Sequence, residues 1–158
     1  MREFIALSNE RQRLILEQAQ SRTGLPAASL EKDLWVCWTL NQLFKSSVWG
    51  RSLTFKGGTS LSKCWGLIER FSEDVDIVID KTFLGFSGEL SPESASSRKK
   101  RKRGLEAMKL ASQQFIHNEL KEGLLCTFRN QLPLTSEWKL DLASTDEDPT
   151  NQTLLFHY

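Results

Sequence analysis

The chain has 158 residues, 39% of them hydrophobic and 26% charged, with a formal net charge of +1. This composition suits one folded domain and excludes a disordered chain, a global polycation and a membrane span, since no apolar run nears the ~20 residues a bilayer requires. Cys37, Cys64 and Cys126 are isolated, and with only two histidines they form no zinc pattern; together with a polar start lacking a secretory signal, they point to the cytoplasm.

Residues 8–22 are predicted helical, with Ser8 as cap and Leu14, Ile15 and Ala19 on one stripe. Gly24-Leu25-Pro26 breaks this helix. A second should run from about Ser29 to Phe44, where Leu30, Leu34, Cys37, Leu40, Leu43 and Phe44 recur at helical spacing. Trp35, Val36 and Trp38 widen the stripe, which implies burial on more than one side. Ser52 to Lys56 alternates as a short strand, with Leu53 and Phe55 on one face, and Gly57-Gly58 ends it. A one-sided helix is then expected from Ser60 to Arg70, with Thr59 or Ser60 as cap and Leu61, Cys64, Trp65 and Ile68 inward.

From Asp74 to Ile79 the pattern alternates again. Val75, Ile77 and Ile79 face one way; Asp74, Asp76 and Val78 face the other. Residues 84–97 are rich in Gly, Ser and Pro and read as a loop, followed by a long helix from about Arg98 to Gly123 with Leu105, Met108, Phe115, Ile116 and Leu120 on its apolar side. Glu137 to Ala143 is a predicted strand with Trp138, Leu140 and Leu142 inward and Lys139 and Asp141 opposite. Ser144 to Asn151 is an acidic turn, and Thr153 to Tyr158 begins another strand. The expected class is α/β or α+β: a small mixed sheet with packed helices.

The chemistry concentrates at two places. A strand that ends in Gly57-Gly58 and leads into a helix lets successive N–H groups converge on an anion, and Thr59 and Ser60 can add hydroxyls. The Walker spacing is absent: Lys63 follows Gly58 without that context. Asp74 and Asp76 lie two apart on a predicted strand, so both point to one face, with Cβ atoms ~7 Å apart. Side by side they repel, and desolvating them is costly; a hard divalent cation, Mg²⁺ or Mn²⁺, removes both problems. Asp141 is the candidate third carboxylate if its strand pairs beside Asp74–Ile79, and Lys139 could offset triphosphate charge.

The segment from Phe55 to Lys63 (Phe-Lys-Gly-Gly-Thr-Ser-Leu-Ser-Lys), followed by Leu67 to Asp76 (Leu-Ile-Glu-Arg-Phe-Ser-Glu-Asp-Val-Asp), closely resembles motif I of the AbiEii/AbiGii-type nucleotidyltransferase toxins. Upstream, Glu31-Lys32-Asp33-Leu34-Trp35-Val36 resembles the helix that precedes that motif, and Lys139-Leu140-Asp141 resembles their second, Lys-x-Asp motif. The resemblance covers about residues 28–143. It implies a polymerase-β-like core and a bacterial toxin of an abortive-infection or toxin–antitoxin system, with a cognate antitoxin encoded nearby. The implied reaction moves a nucleotide from an NTP, with Mg²⁺, to a hydroxyl acceptor such as RNA or tRNA. By residue, it implies phosphate contacts from Gly57, Gly58 and Thr59 or Ser60, with Lys63 and Arg70 as further nucleotide ligands. Asp74 and Asp76 would bind metal, Lys139 would contact nucleotide, and Asp141 would be the third carboxylate assisting deprotonation of the acceptor. Family members continue into a further helical region, so the expectation is one nucleotidyltransferase domain over 1–158, either a C-terminally truncated fragment or a reduced form: 1–47 a helical segment, 48–158 the catalytic core.

Arg98-Lys99-Lys100-Arg101-Lys102-Arg103 is a run of six cations at the start of a predicted helix, where the dipole disfavours them. Phosphates of an RNA acceptor would favour them; a solvated charge run is the plain alternative. Of the five tryptophans, Trp35, Trp38, Trp65 and Trp138 fall on apolar stripes and read as core, while Trp49 stays unassigned and Cys64 reads as buried. Two other functions remain open at this level: transfer to a protein side chain, or of the γ-phosphate, at the same site; and an inactive module that binds nucleotide, RNA or a partner.

Overall fold

The helical periodicity of the N-terminal third becomes three helices in the computed structural model, which describes residues 1–68, 73–133 and 137–158. They are α1 (Arg2–Ile5), α2 (Asn9–Thr23) and α3 (Ala27–Lys45). Gly24, at φ +73°, ends α2 in the left-handed conformation that glycine adopts without penalty, and the chain reverses so that α2 packs on α3. Ser8 stands at the cap position of α2 but makes no side-chain cap bond. The stripe of α2 differs from the expected one: Leu14 and Ile15 are exposed, while Gln12, Leu16 and Ala19 are half-buried. α3 is half-buried along most of its length, and Val36, Trp38, Gln42 and Leu43 are fully buried, as its wide stripe required. Phe44 is exposed instead. Trp35 meets Trp38 edge to face at 5.6 Å.

After α3 the chain turns under its C-terminal carbonyls. A Cβ on Gly50 would lie 2.5 Å from the Phe44 oxygen, so only glycine permits this approach. Strand β1 (Leu53–Lys56), helix α4 (Gly57–Lys63) and strand β2 (Asp76–Ile79) follow, and β1 pairs with β2. These elements, as far as Val78 of β2, belong to one compact unit, Met1–Val78 with Gln131–Pro133; the second is Ile79–Asn130 with Leu134–Tyr158. The first unit is centred on Ile5, Val36, Trp38, Leu43, Trp49 and Leu53.

In the second unit, 84–97 forms a loop with short 3₁₀ turns at Gly88–Leu90 and Pro92–Ser94. Helix α5 (Arg98–Gln114) starts at the predicted residue, with the Ser97 hydroxyl accepting from the Lys100 N–H at 3.2 Å. It does not stop near Gly123. A π-helical turn, Phe115–Leu120, carries it into α6 (Lys121–Gln131). Leu105 is exposed, and the buried stripe lies further on, at Phe115, Ile116, Leu120, Leu124 and Phe128. Strands β3 (Lys139–Leu142) and β4 (Leu154–His157) form an antiparallel pair with Asp141 opposite Leu155. Phe128 packs edge to face on Trp138 and Phe156, at 5.8 and 4.9 Å.

The architecture is the mixed, helix-rich α/β class expected. Among the described residues its strands fall into two two-stranded sheets, β1-β2 and β3-β4. The ladder that would set β3 beside β2 is not formed among them. No helix of the described residues is long and apolar enough to cross a membrane.

Candidate functional site

β1 alternates as read: Leu53 is buried and Phe55 half-buried, while Thr54 and Lys56 are exposed. Lys56 is extended, and Gly57 then turns the backbone to φ +75°, where a side chain is strained. The helix starts at Gly57 itself, one turn earlier than predicted. Thr59 and Ser60 are therefore not caps: they lie inside the first turn, and both are buried. The Thr59 hydroxyl, 2% exposed, donates to the Asp74 carbonyl at 2.7 Å, and the Ser60 hydroxyl donates to the Phe55 carbonyl at 3.3 Å. Each hydroxyl carries one proton, so both donors that the sequence offered to phosphate tie α4 to its neighbours here.

β2 brings Asp76 against this turn. A Cβ built on Gly57 would lie 1.9 Å from Asp76 Oδ2 and 2.8 Å from its carboxyl carbon. The Asp76 carboxylate thus occupies the space that any other residue at 57 would fill. From Asp74 to Ile79, Val75, Ile77 and Ile79 are half-buried, and Asp74, Asp76 and Val78 are exposed. The strand itself is shorter than predicted: it begins at Asp76, and Asp74 lies just before it. Among the described residues neither carboxylate has a hydrogen-bond or ion-pair partner. The donor set is hard oxygen beside a turn with no side chain, which fits Mg²⁺ or Mn²⁺ better than zinc. No group of three or more His, Cys, Asp or Glu is gathered for a metal among the described residues.

Lys63 closes α4, and its ammonium is paired with Asp33 of α3. Partial burial pulls the Lys63 pKa down, but the Asp33 carboxylate and the Cys37 thiol outweigh it, and the net shift is upward. One residue back on α3, Lys32 binds Glu73 at 2.6 Å. Sequence reading had set the Glu31-Lys32-Asp33 segment beside this motif without giving it a task. The signal available was a pair of opposite charges set side by side in an apolar helix. Arg70, with Glu69, Phe71 and Ser72, lies outside the described residues.

The predicted helix to Arg70 stops at Lys63, because Gly66 takes φ +60° and reverses the chain, with Leu67 N–H donating to the Leu61 carbonyl at 3.0 Å. The inward residues of that expected helix are exposed as a result. Trp65 is 70% exposed, and Leu61, Cys64 and Ile68 are also exposed, so Trp65 is not core and Cys64 is not buried.

In the second unit, Lys139 and Asp141 share one face of β3 and pair with each other at 2.5 Å. The β3–β4 connection is tied down by Asp148, whose carboxylate accepts from the Thr150 hydroxyl and from the Gln152 N–H at 2.7 Å. It docks on the long helix through Gln113 to the Thr150 carbonyl (2.7 Å), His117 Nε2 to the Asn151 carbonyl (3.0 Å) and Gln152 to Ser112 (3.0 Å). The cationic run Arg98 to Arg103 covers the first turns of α5, and all six residues are exposed. Lys100 reaches Ser96 at 3.2 Å and Lys102 approaches Glu106 at 3.9 Å.

A family model described as nucleotidyl transferase AbiEii toxin, type IV toxin–antitoxin system, matches residues 38–154, more than half of the chain. No curated protein and no solved structure matches it. The matched span contains the Gly57 turn, both Asp74 and Asp76, and the Lys139–Asp141 pair.

Proposed function

From the premise that this chain belongs to the AbiEii nucleotidyltransferase toxin family, we propose that it transfers a nucleoside monophosphate from an NTP to a hydroxyl of RNA, with tRNA the expected acceptor. The observation that supports this most is the Asp76 carboxylate seated against Gly57, with Asp74, also exposed, two residues before it.

In this reading the bare Gly57-Gly58 turn receives phosphate oxygens through backbone N–H groups. Asp74 and Asp76 would hold a divalent cation, which when bound neutralises charge on the triphosphate. The acceptor oxygen forms a bond to the α-phosphorus, the bond to the β-phosphate breaks, and pyrophosphate leaves. Asp141 takes the acceptor proton, and Lys139, released from Asp141, balances charge on the nucleotide. Arg70 is proposed as a further nucleotide contact. The exposed Arg98–Arg103 run supplies the RNA surface: helix-dipole chemistry disfavours it there, and phosphates would compensate. The setting is a bacterial cytoplasm, with an antitoxin encoded nearby.

Labelling tests this directly. With Mg²⁺ and bacterial RNA, α-³²P-labelled NTP should mark RNA and γ-³²P-labelled NTP should not. Label from the γ-position alone, or label on protein in place of RNA, would replace this reading with phosphotransfer or protein modification.

A further inference from the structure

Lys32 and Asp33 are consecutive on α3, and each is bound to a different point of the motif segment. Asp33 holds Lys63, the last residue of α4; Lys32 holds Glu73, the residue before Asp74. Residues 63 and 73 bracket the excursion that leaves α4 and returns to β2. One helix therefore pins both ends of that excursion with charges of opposite sign. Two further restraints act just beyond the second pin: Thr59 on the Asp74 carbonyl, and Gly57 against the Asp76 carboxylate. The Lys32 contact also gives the neighbouring Glu73 carboxylate a cation of its own, which separates it from the Asp74 and Asp76 pair.

We propose that Lys32 and Asp33 are positioning residues: through Glu73 and Lys63 they fix the register in which Asp74 and Asp76 face the Gly57 turn. The role rests on the nucleotidyl-transfer reading above, and it gives Lys63 an anchoring task in place of a phosphate contact. All four side chains are partly exposed, and pairs of this kind contribute little to global stability. Their loss should therefore appear in the site before it appears in the fold.

The test is charge reversal and re-pairing in the full chain. Lys32→Glu, Glu73→Lys, Asp33→Lys and Lys63→Asp are compared with the doubles Lys32→Glu/Glu73→Lys and Asp33→Lys/Lys63→Asp. The readouts are Mn²⁺ affinity by electron paramagnetic resonance, thermal melting, and kcat and KM for transfer. Each single reversal should weaken Mn²⁺ binding and lower kcat about tenfold, the scale of lost support behind metal ligands. Melting should move little, and each double should recover most of the loss. The neutral variants Lys32→Gln and Asp33→Asn should act in the same direction with smaller effect, which covers a reversal that fails to fold. Singles with wild-type Mn²⁺ affinity and kcat, or doubles no better than the sum of their singles, would overturn the proposal. Asp76→Asn, run alongside, separates the two levels. If it keeps metal binding and turnover, the transfer reading itself fails; if it loses both while the reversals are silent, only the positioning role fails.

Discussion

Two pairs of motif residues, Asp74 with Asp76 and Lys139 with Asp141, stand in contrasting states. In the first unit, the hydroxyls and charges around Asp74 and Asp76 are committed elsewhere: Thr59 to a carbonyl, Ser60 to a carbonyl, Lys63 to Asp33, Glu73 to Lys32. The two aspartates stay exposed and, among the described residues, unengaged. In the second unit, Lys139 and Asp141 satisfy each other at 2.5 Å. In the proposed reading, a cation joins the first arrangement without displacing an ion pair among the described residues, whereas Lys139 and Asp141 give up their mutual contact to act.

The largest effect should come from the poised pair. Asp76→Asn removes a hard ligand from a site with two, and kcat for Mg²⁺-dependent transfer should fall about a thousandfold, with melting near wild type. Unchanged turnover would erase the contrast between the units. Gly57→Ala attacks the same carboxylate from below. Its Cβ needs the space Asp76 Oδ2 holds, and its φ of +75° adds strain of about 1–2 kcal/mol. A displacement on the order of an ångström at a reacting centre can reduce rate about a hundredfold. Gly24→Ala is the control: φ is +73° with nothing within 4 Å, so it should lower melting comparably and leave transfer intact.

Asp141→Asn should lower kcat about a hundredfold, the usual share of a positioned proton acceptor, without weakening Mn²⁺ binding at Asp74 and Asp76 as strongly as Asp76→Asn does. Equal losses of metal affinity from both would assign Asp141 chiefly to the metal. The smallest effect concerns the β3–β4 connection. The Thr150 hydroxyl, then the Gln152 N–H, hold the Asp148 carboxyl well below the usual carboxylate range. A pKa depressed on folding stabilises fully above the unfolded value of about 4 and is lost as pH falls through the folded one. Protection of the Thr150 and Gln152 amides, taken relative to intrinsic exchange at each pH, should therefore begin to fall below about pH 4. In Asp148→Asn that protection should be low at every pH, with Mn²⁺ binding in the first unit unaffected. Protection that stays constant with pH would remove Asp148 as the organiser of this turn.

Much of this was legible in residue order. Alternation at Leu53–Lys56 and Asp76–Ile79 gave the correct inward and outward faces, because side-chain period in a strand is a local property; the strand was read two residues too long, from Asp74. Lys139 and Asp141 shared a face for the same reason. The apolar spacing after Lys63 misled: Leu61, Trp65 and Ile68 fit a helix, but Gly66 at positive φ ends it, and backbone freedom overrode pattern. The long helix was legible as far as Gly123, with Phe115, Ile116 and Leu120 inward; its continuation to Gln131 was not, since Gly123 looked like a stop and burial of Leu124 and Phe128 favours continuing. The Lys32–Glu73 and Asp33–Lys63 pairs join residues 41 and 30 apart, and no local rule reaches that far.

The most direct measurement is anomalous diffraction from crystals soaked with Mn²⁺ and a non-hydrolysable NTP analogue. The account predicts a manganese peak between the Asp74 and Asp76 carboxylates, with triphosphate oxygens at the Gly57-Gly58 turn. Triphosphate bound elsewhere, or a metal that leaves Asp76 untouched, would contradict it.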